Sequence, residues 1–173
     1  MGDAMIRDLL EEISERLDEF DRGSVPTSPD LNTLGRELAG VLRAPVYPEP
    51  DRDYVVSDSF AVYYSADGQA LLWSADEPIS TPAFVVHNLL SWSGPYALID
   101  WKRTQDARTW LPQTEEELPS SLRAVSEKLQ RFLNEAGYKV LSGPILDQFI
   151  PGRTSELDDS PQTVREGLFS AID

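Results

Sequence analysis

Hydrophobic residues recur at helical spacing through residues 3–20. Ile6, Leu9, Leu10, Ile13, Leu17 and Phe20 are separated by acids and arginines. An apolar stripe of that period predicts an amphipathic helix, and Asp3 and Asp8 suit the positive end of its dipole. Gly23, Pro26 and Pro29 predict a loop over 21–29. Leu31, Leu34, Leu38, Val41 and Leu42 form a second stripe. Its helix is expected to start at Ser28, with Pro29 at the first helical position and Asp30 behind it. Pro45, Pro48 and Pro50 then stop the helix and set an extended connector to about Arg52.

The period changes beyond that point. Phe60 to Tyr64 and Gln69 to Trp73 are β-branched, aromatic and apolar runs around Ala66, Asp67 and Gly68, and Asp-Gly predicts a hairpin. Tyr54 to Val56 could add a short strand. Residues 82–92 fit two readings. Thr81 before Pro82 resembles a helix N-cap and Gly94-Pro95 a stop, whereas Phe84, Val85 and Val86 suit a buried strand. Length and caps favour the helix.

Tyr96 to Trp101 reads as a strand, followed by a polar linker with room for one turn of helix. Leu122, Val125, Leu129, Phe132 and Leu133 place the last long helix over 119–135, with Gly137 as its stop. Lys139 to Leu141 suggests a short strand, and Ile145 to Ile150 an apolar segment closed by Pro151-Gly152. The acidic stretch 155–161 reads as exposed loop, and 163–169 as a helical turn docked through Val164, Leu168 and Phe169. No repeat or low-complexity segment interrupts this order. The expected fold is therefore α+β: a single domain, 1–173, with a mainly antiparallel sheet flanked by N-terminal and C-terminal helices. Its three parts are a helical 1–50, a sheet-rich 54–101 and a helical 119–173.

Composition narrows the chemistry. The chain has 173 residues, is 40% hydrophobic and lacks cysteine, so it can bury a core without disulfides, thiolate metal sites or a cysteine nucleophile. No apolar run approaches a membrane span. Acids at Asp3, Asp8, Glu11 and Glu12 argue against a signal peptide, and the expected location is cytoplasmic.

Thirty acids oppose fifteen bases, a net charge of −15. Lys102 and Arg103 are the only adjacent bases, so no basic stripe exists for nucleic-acid phosphates. Such a charge repels nucleic acid and anionic membrane and attracts cationic partners; it also serves solubility or salt adaptation alone. The N-terminal helix, with Glu11, Glu12, Glu15, Asp18 and Glu19, reads either as a negative arm or as an ordinary solvated face.

No catalytic signature emerges. His87 is the only histidine, and its apolar neighbours Phe84, Val85, Val86, Leu89 and Leu90 read as a buried structural setting. No G-x-S-x-G surrounds a serine, and Ser91-Trp92-Ser93-Gly94 only grazes it. Asp51, Asp53, Asp158 and Asp159 lack the spacing of a calcium loop and read as solvated turn acids. No cofactor fingerprint occurs, so neither cofactor nor metal is expected. A carboxylate pair remains conceivable for hydrolysis. Asp100 stands out between Ile99 and Trp101, where partial desolvation would raise its pKa, unless strand alternation turns it to solvent.

The strongest signal is regional. Between Arg52 and Lys102 there is no lysine or arginine but six acids, and ten of the sixteen aromatics lie between Tyr54 and Trp110. Aromatic anchors supply interface energy and acids steer a basic partner, although strands also favour aromatics as core. The residues expected at such a surface are Asp58, Tyr63, Tyr64, Asp67, Asp76, Glu77 and Asp100. Tyr63 and Tyr64 must point to opposite faces of their strand. In general character the chain resembles bacterial immunity and antitoxin proteins, a resemblance of composition that covers no motif. The expectation is a non-enzymatic acidic binding protein that inhibits a cationic protein partner. The alternative is a carboxylate- or divalent-metal-dependent hydrolase.

Overall fold

The computed structural model describes residues 3–23, 30–49, 56–74, 76, 79, 81–106, 109–155 and 158–169. Helix α1 runs Asp3–Asp21 and turns Leu9, Ile13 and Leu17 inward, one residue per helical turn. Helix α2, Leu31–Leu42, is capped by Asp30, whose carboxylate accepts from the Asn32 backbone N–H at 3.1 Å. The cap thus falls two residues after the expected Ser28, which lies outside the described residues, as does Pro29.

Strand β1 is Tyr47–Glu49, in the proline-rich stretch read as a connector. It is an edge strand pairing with β2, Ser57–Ser65, a position where a missing proline N–H is tolerated. The turn 65–69 closes through Ser65 N–H donating to the Gln69 carbonyl, but its return strand β3 is only Ala70–Leu71. The full-length partner of β2 is instead β4, Ala83–Ser91. The segment 82–92, expected as a helix, is therefore strand from Ala83 to Ser91. β4 lies at the centre of the sheet and is buried on both faces, which yields a continuous apolar run without alternation. Of the strand expected at Tyr54 to Val56, the first two residues lie outside the described ones and Val56 is a bend.

Strand β5 extends Tyr96–Asp106 and pairs with β6, Thr109–Gln113, so part of the expected polar linker is strand. A single 3-10 turn, Glu115–Glu117, leads into α3, Ser120–Glu135. Strand β7, Lys139–Leu141, runs parallel to β5. A 3-10 segment Gly143–Asp147, the small sheet of β8 (Phe149–Thr154) with β9 (Pro161–Thr163), and α4 (Val164–Phe169) complete the chain. The result is an α+β domain whose main sheet has the order β1-β2-β4-β5-β6, with β3 also on β2 and β7 also on β5.

Strand alternation divides the sheet into two faces. Phe60, Val62 and Tyr64 of β2, Phe84, Val86 and Leu90 of β4, and Ala97 and Trp101 of β5 share one face with Leu34 and Leu38 of α2 and Leu118, Leu122, Leu129 and Leu133 around α3. Among the described residues, helices cover only one half of the opposite face. There Tyr96 and Leu98 of β5 meet Leu9, Ile13 and Leu17 of α1, Ile145 and Leu146, and Val164, Leu168 and Phe169 of α4. Polar ties hold α1 in place. Tyr96 donates to Glu12 at 2.9 Å, Lys139 pairs with the same carboxylate, and the Arg153 guanidinium forks to Asp18 and Asp21. The half left over is the functional candidate.

Candidate functional site

The uncovered half-face is built by residues that alternation sends to the same side of four strands: Tyr47 and Glu49 of β1, Ser59, Ala61 and Tyr63 of β2, Val85 and His87 of β4, and Asp100 and Lys102 of β5. Trp110 of β6 faces the same way, because it pairs with Thr104. Among the described residues, no helical one joins the apolar group formed here by Ala61, Tyr63 and Val85 with Tyr47, Leu71, Ile79 and Trp110. The sheet's own side chains and the segment after β3 supply the cover.

At its centre is an aromatic group. Trp73 stacks on Tyr63 with ring centroids 5.9 Å apart and planes within 10°. Tyr47 meets both edge-on, at 5.9 Å from Tyr63 and 6.0 Å from Trp73, and Trp110 meets Tyr63 edge-on at 6.1 Å. These are the favoured offset and edge arrangements of aromatic pairs. The Trp73 backbone N–H donates to the Tyr47 hydroxyl at 3.1 Å, fastening the segment after β3 to the edge strand. Even so, Trp73 is 45% exposed and Leu72 beside it 80%. Trp73 is thus held by its ring and backbone contacts while almost half of its surface stays open to water.

A polar strip borders the aromatics. His87 Nδ1 donates to Glu49 Oε2 at 2.9 Å, and the Ser59 hydroxyl donates to the same oxygen. The carboxylate only accepts, so it fixes the ring with its proton on Nδ1. The pair resembles the base-and-orienter half of a hydrolytic triad, but Ser59 bonds the carboxylate and not the imidazole, so it is not itself poised for activation. Asp100 lies directly across from His87 on β5, flanked by Lys102 Nζ at 3.9 Å and Arg165 Nη1 of α4 at 3.8 Å. Two carboxylates and two cations thus share the strip. Among the described residues no group of three histidines or acids stands close enough to hold a metal ion.

The residues singled out in the sequence separate in space. Tyr63 and Asp100 lie on the open face, and exposed Asp76 follows Trp73 by three positions. Tyr64 and Asp58 project to the helix-covered face, where burial pushes the Tyr64 phenol up to about 12. Burial and, secondarily, the Asp58 charge push Tyr138 to about 12 as well. Asp67 sits in the exposed turn after β2, its pKa lowered by the Ser65 hydroxyl it accepts from. Glu77, like Asp51 and Asp53, lies outside the described residues, whereas Asp158 and Asp159 are exposed.

Sequence reasoning missed Tyr47, Glu49 and Arg165. Tyr-Pro-Glu alternates correctly for one face of an edge strand, but its prolines outweighed that two-residue signal. The apolar neighbours of His87 are real strand neighbours, yet the ring itself reaches the polar strip and is only half-buried. Among the described residues no helix is long and apolar enough to cross a membrane. Compared with known protein families, curated proteins and solved structures, the chain matches none.

Proposed function

We propose that this protein is a non-enzymatic binding module whose open half-face holds a cationic protein partner, as an inhibitor of the immunity or antitoxin kind does. The observation that carries the reading is the packed aromatic group of Tyr47, Tyr63, Trp73 and Trp110, in which buried Tyr63 supports a Trp73 that is 45% exposed, on a sheet half that no helix among the described residues covers. Rigid aromatic anchors of this sort supply most interface energy. In the polar strip Asp100 is flanked by the cations Lys102 and Arg165, while Glu49 holds His87. The acid surplus lies elsewhere, for example on the solvent side of α1. Attraction of a basic partner is therefore a long-range effect of the net −15 charge, while the aromatic group makes the contact.

The test is affinity capture from native lysate at physiological salt, comparing the wild type with Trp73→Ser, Tyr47→Ser and a distant control, Val41→Ser on α2. A basic protein retained stoichiometrically by the wild type and the control, weakened at least about 10-fold by the face variants, supports the reading. Its association rate should fall steeply with added salt. Retention that ignores both face variants, or a salt-independent rate, would sink it.

A further inference from the structure

Trp73 is packed on one ring face and open on the other. Its indole stacks on Tyr63, with planes within 10° and centroids 5.9 Å apart. Tyr47 stands 5.9 Å from Tyr63 and 6.0 Å from Trp73. The three centroids therefore form a nearly equilateral triangle, which puts Tyr47 beside the stack. A ring capping the far face of Trp73 would lie well beyond that distance from Tyr63. The bond from the Trp73 backbone N–H to the Tyr47 hydroxyl holds the segment in this pose. With the residue 45% exposed, what stays open to water amounts to about one ring face.

An indole face is electron-rich and attracts cations more strongly than the ring of Tyr or Phe. The chain makes the same contact within itself: Arg103 lies 5.9 Å from the Phe84 centroid and Lys139 5.9 Å from that of Tyr96. No lysine or arginine occurs between Arg52 and Lys102, so the segment that carries Trp73 brings no such cation of its own. Lys102, on the same face, stands 3.9 Å from Asp100, and Arg165 3.8 Å from it. Exposed Asp76, three residues beyond Trp73, adds a negative charge whose backbone is at most ~11 Å away, about one Debye length at 0.1 M salt. A good cation-binding ring face is thus presented within the field of a chain of net charge −15.

We infer, building on the binding-module reading, that the outer face of Trp73 receives an arginine side chain of the basic partner, its guanidinium lying flat on the Tyr63–Trp73 stack as a third layer. Arginine is specified over lysine because a guanidinium is planar and more weakly hydrated than an ammonium. Steering and contact then reside in one side chain: the charge that the acidic protein attracts is the group that the indole holds.

The probe is acetyl-Gly-Arg-Gly-amide, titrated into the full chain and read by NMR at the Trp73 indole N–H, with the lysine and citrulline peptides beside it. Citrulline keeps the planar shape and lacks the charge. The arginine peptide should shift the Trp73 signal saturably and bind roughly 2- to 5-fold more tightly than the lysine peptide. The citrulline peptide should give no saturable shift, and the buried Trp101 indole should stay unmoved throughout. Trp73→Leu should remove the arginine–lysine difference, whereas Asp76→Asn should weaken both peptides alike. The peptide comparison needs no variant, so it decides the matter even if Trp73→Leu does not fold. Equal responses to arginine and citrulline, equal affinities for arginine and lysine, or no saturable shift at Trp73 each overturn the arginine contact. A partner captured through Trp73 while the indole ignores arginine sinks the contact and leaves the binding module standing. An empty capture with an indole that takes arginine does the reverse.

Discussion

Replacing Trp73 with alanine asks whether the open face is a built surface or a loose flap. The side chain is 45% exposed, so a little over half of it is covered, by Tyr63 and Tyr47. Half of a tryptophan is roughly 120 Å², which at about 25 cal per Å² gives ~3 kcal/mol. Residual compaction of the unfolded chain trims this to about 2 kcal/mol. The stacked and edge-on ring contacts return about 0.5–1.5 kcal/mol each, so Trp73→Ala should cost roughly 3 kcal/mol in all. With a urea m-value of about 2 kcal/mol/M, the midpoint should fall by ~1.5 M. The assay is urea unfolding followed by far-ultraviolet circular dichroism, with Leu72→Ala as a control. Leu72 is 80% exposed, and its truncation should stay within about 0.5 kcal/mol. A Trp73→Ala cost as small as that of the control would refute the packed surface, and with it the pre-organised anchors on which the proposed function depends.

Other outcomes follow from the layers around the site. Ile13→Ala removes a side chain fully buried between α1 and the sheet and should cost about 2–5 kcal/mol by urea unfolding. Gly68→Ala should destabilise and perturb the 65–69 turn by NMR, because Gly68 has φ +85° and an added Cβ would stand 2.9 Å from Ser121 Cβ of α3; a neutral result would contradict that docking. Glu12 has its pKa lowered chiefly by the Lys139 ammonium, assisted by the Tyr96 hydroxyl. Its contribution is therefore fully present above the ordinary glutamate value of about 4.3 and is lost as pH falls through the lower folded value. Glu12→Gln should flatten the fall of unfolding midpoint with acidification between roughly pH 5 and 3, and an unchanged slope would remove Glu12 from the account.

The local elements were legible where one period ran long enough. The helical stripes of α1, α2 and α3 and the docking turn at Val164, Leu168 and Phe169 are visible in the residues themselves. Each needs only one face buried, so burial leaves a periodic mark. β4 was obscured because both its faces are buried, which erases alternation and leaves an apolar run bounded by cap-like residues. β1 was obscured because Tyr-Pro-Glu is too short to show a period, and its pairing with residues 59–61 is a distant event.

The candidate site divides in the same way. Aromatic surplus, acid excess and the opposed directions of Tyr63 and Tyr64 belong to the sequence, since composition and strand geometry determine them. That Tyr63 rather than Tyr64 faces the open side, that Glu49 reaches His87, and that Asp100 meets Lys102 and Arg165 were decided by the tertiary structure alone. A residue's own neighbours along the chain carry its period, whereas the identity of the face that helices cover depends on which distant segments pack there. Among the described residues, α2 and α3 pack on one side of the sheet, and α1 and α4 on half of the other.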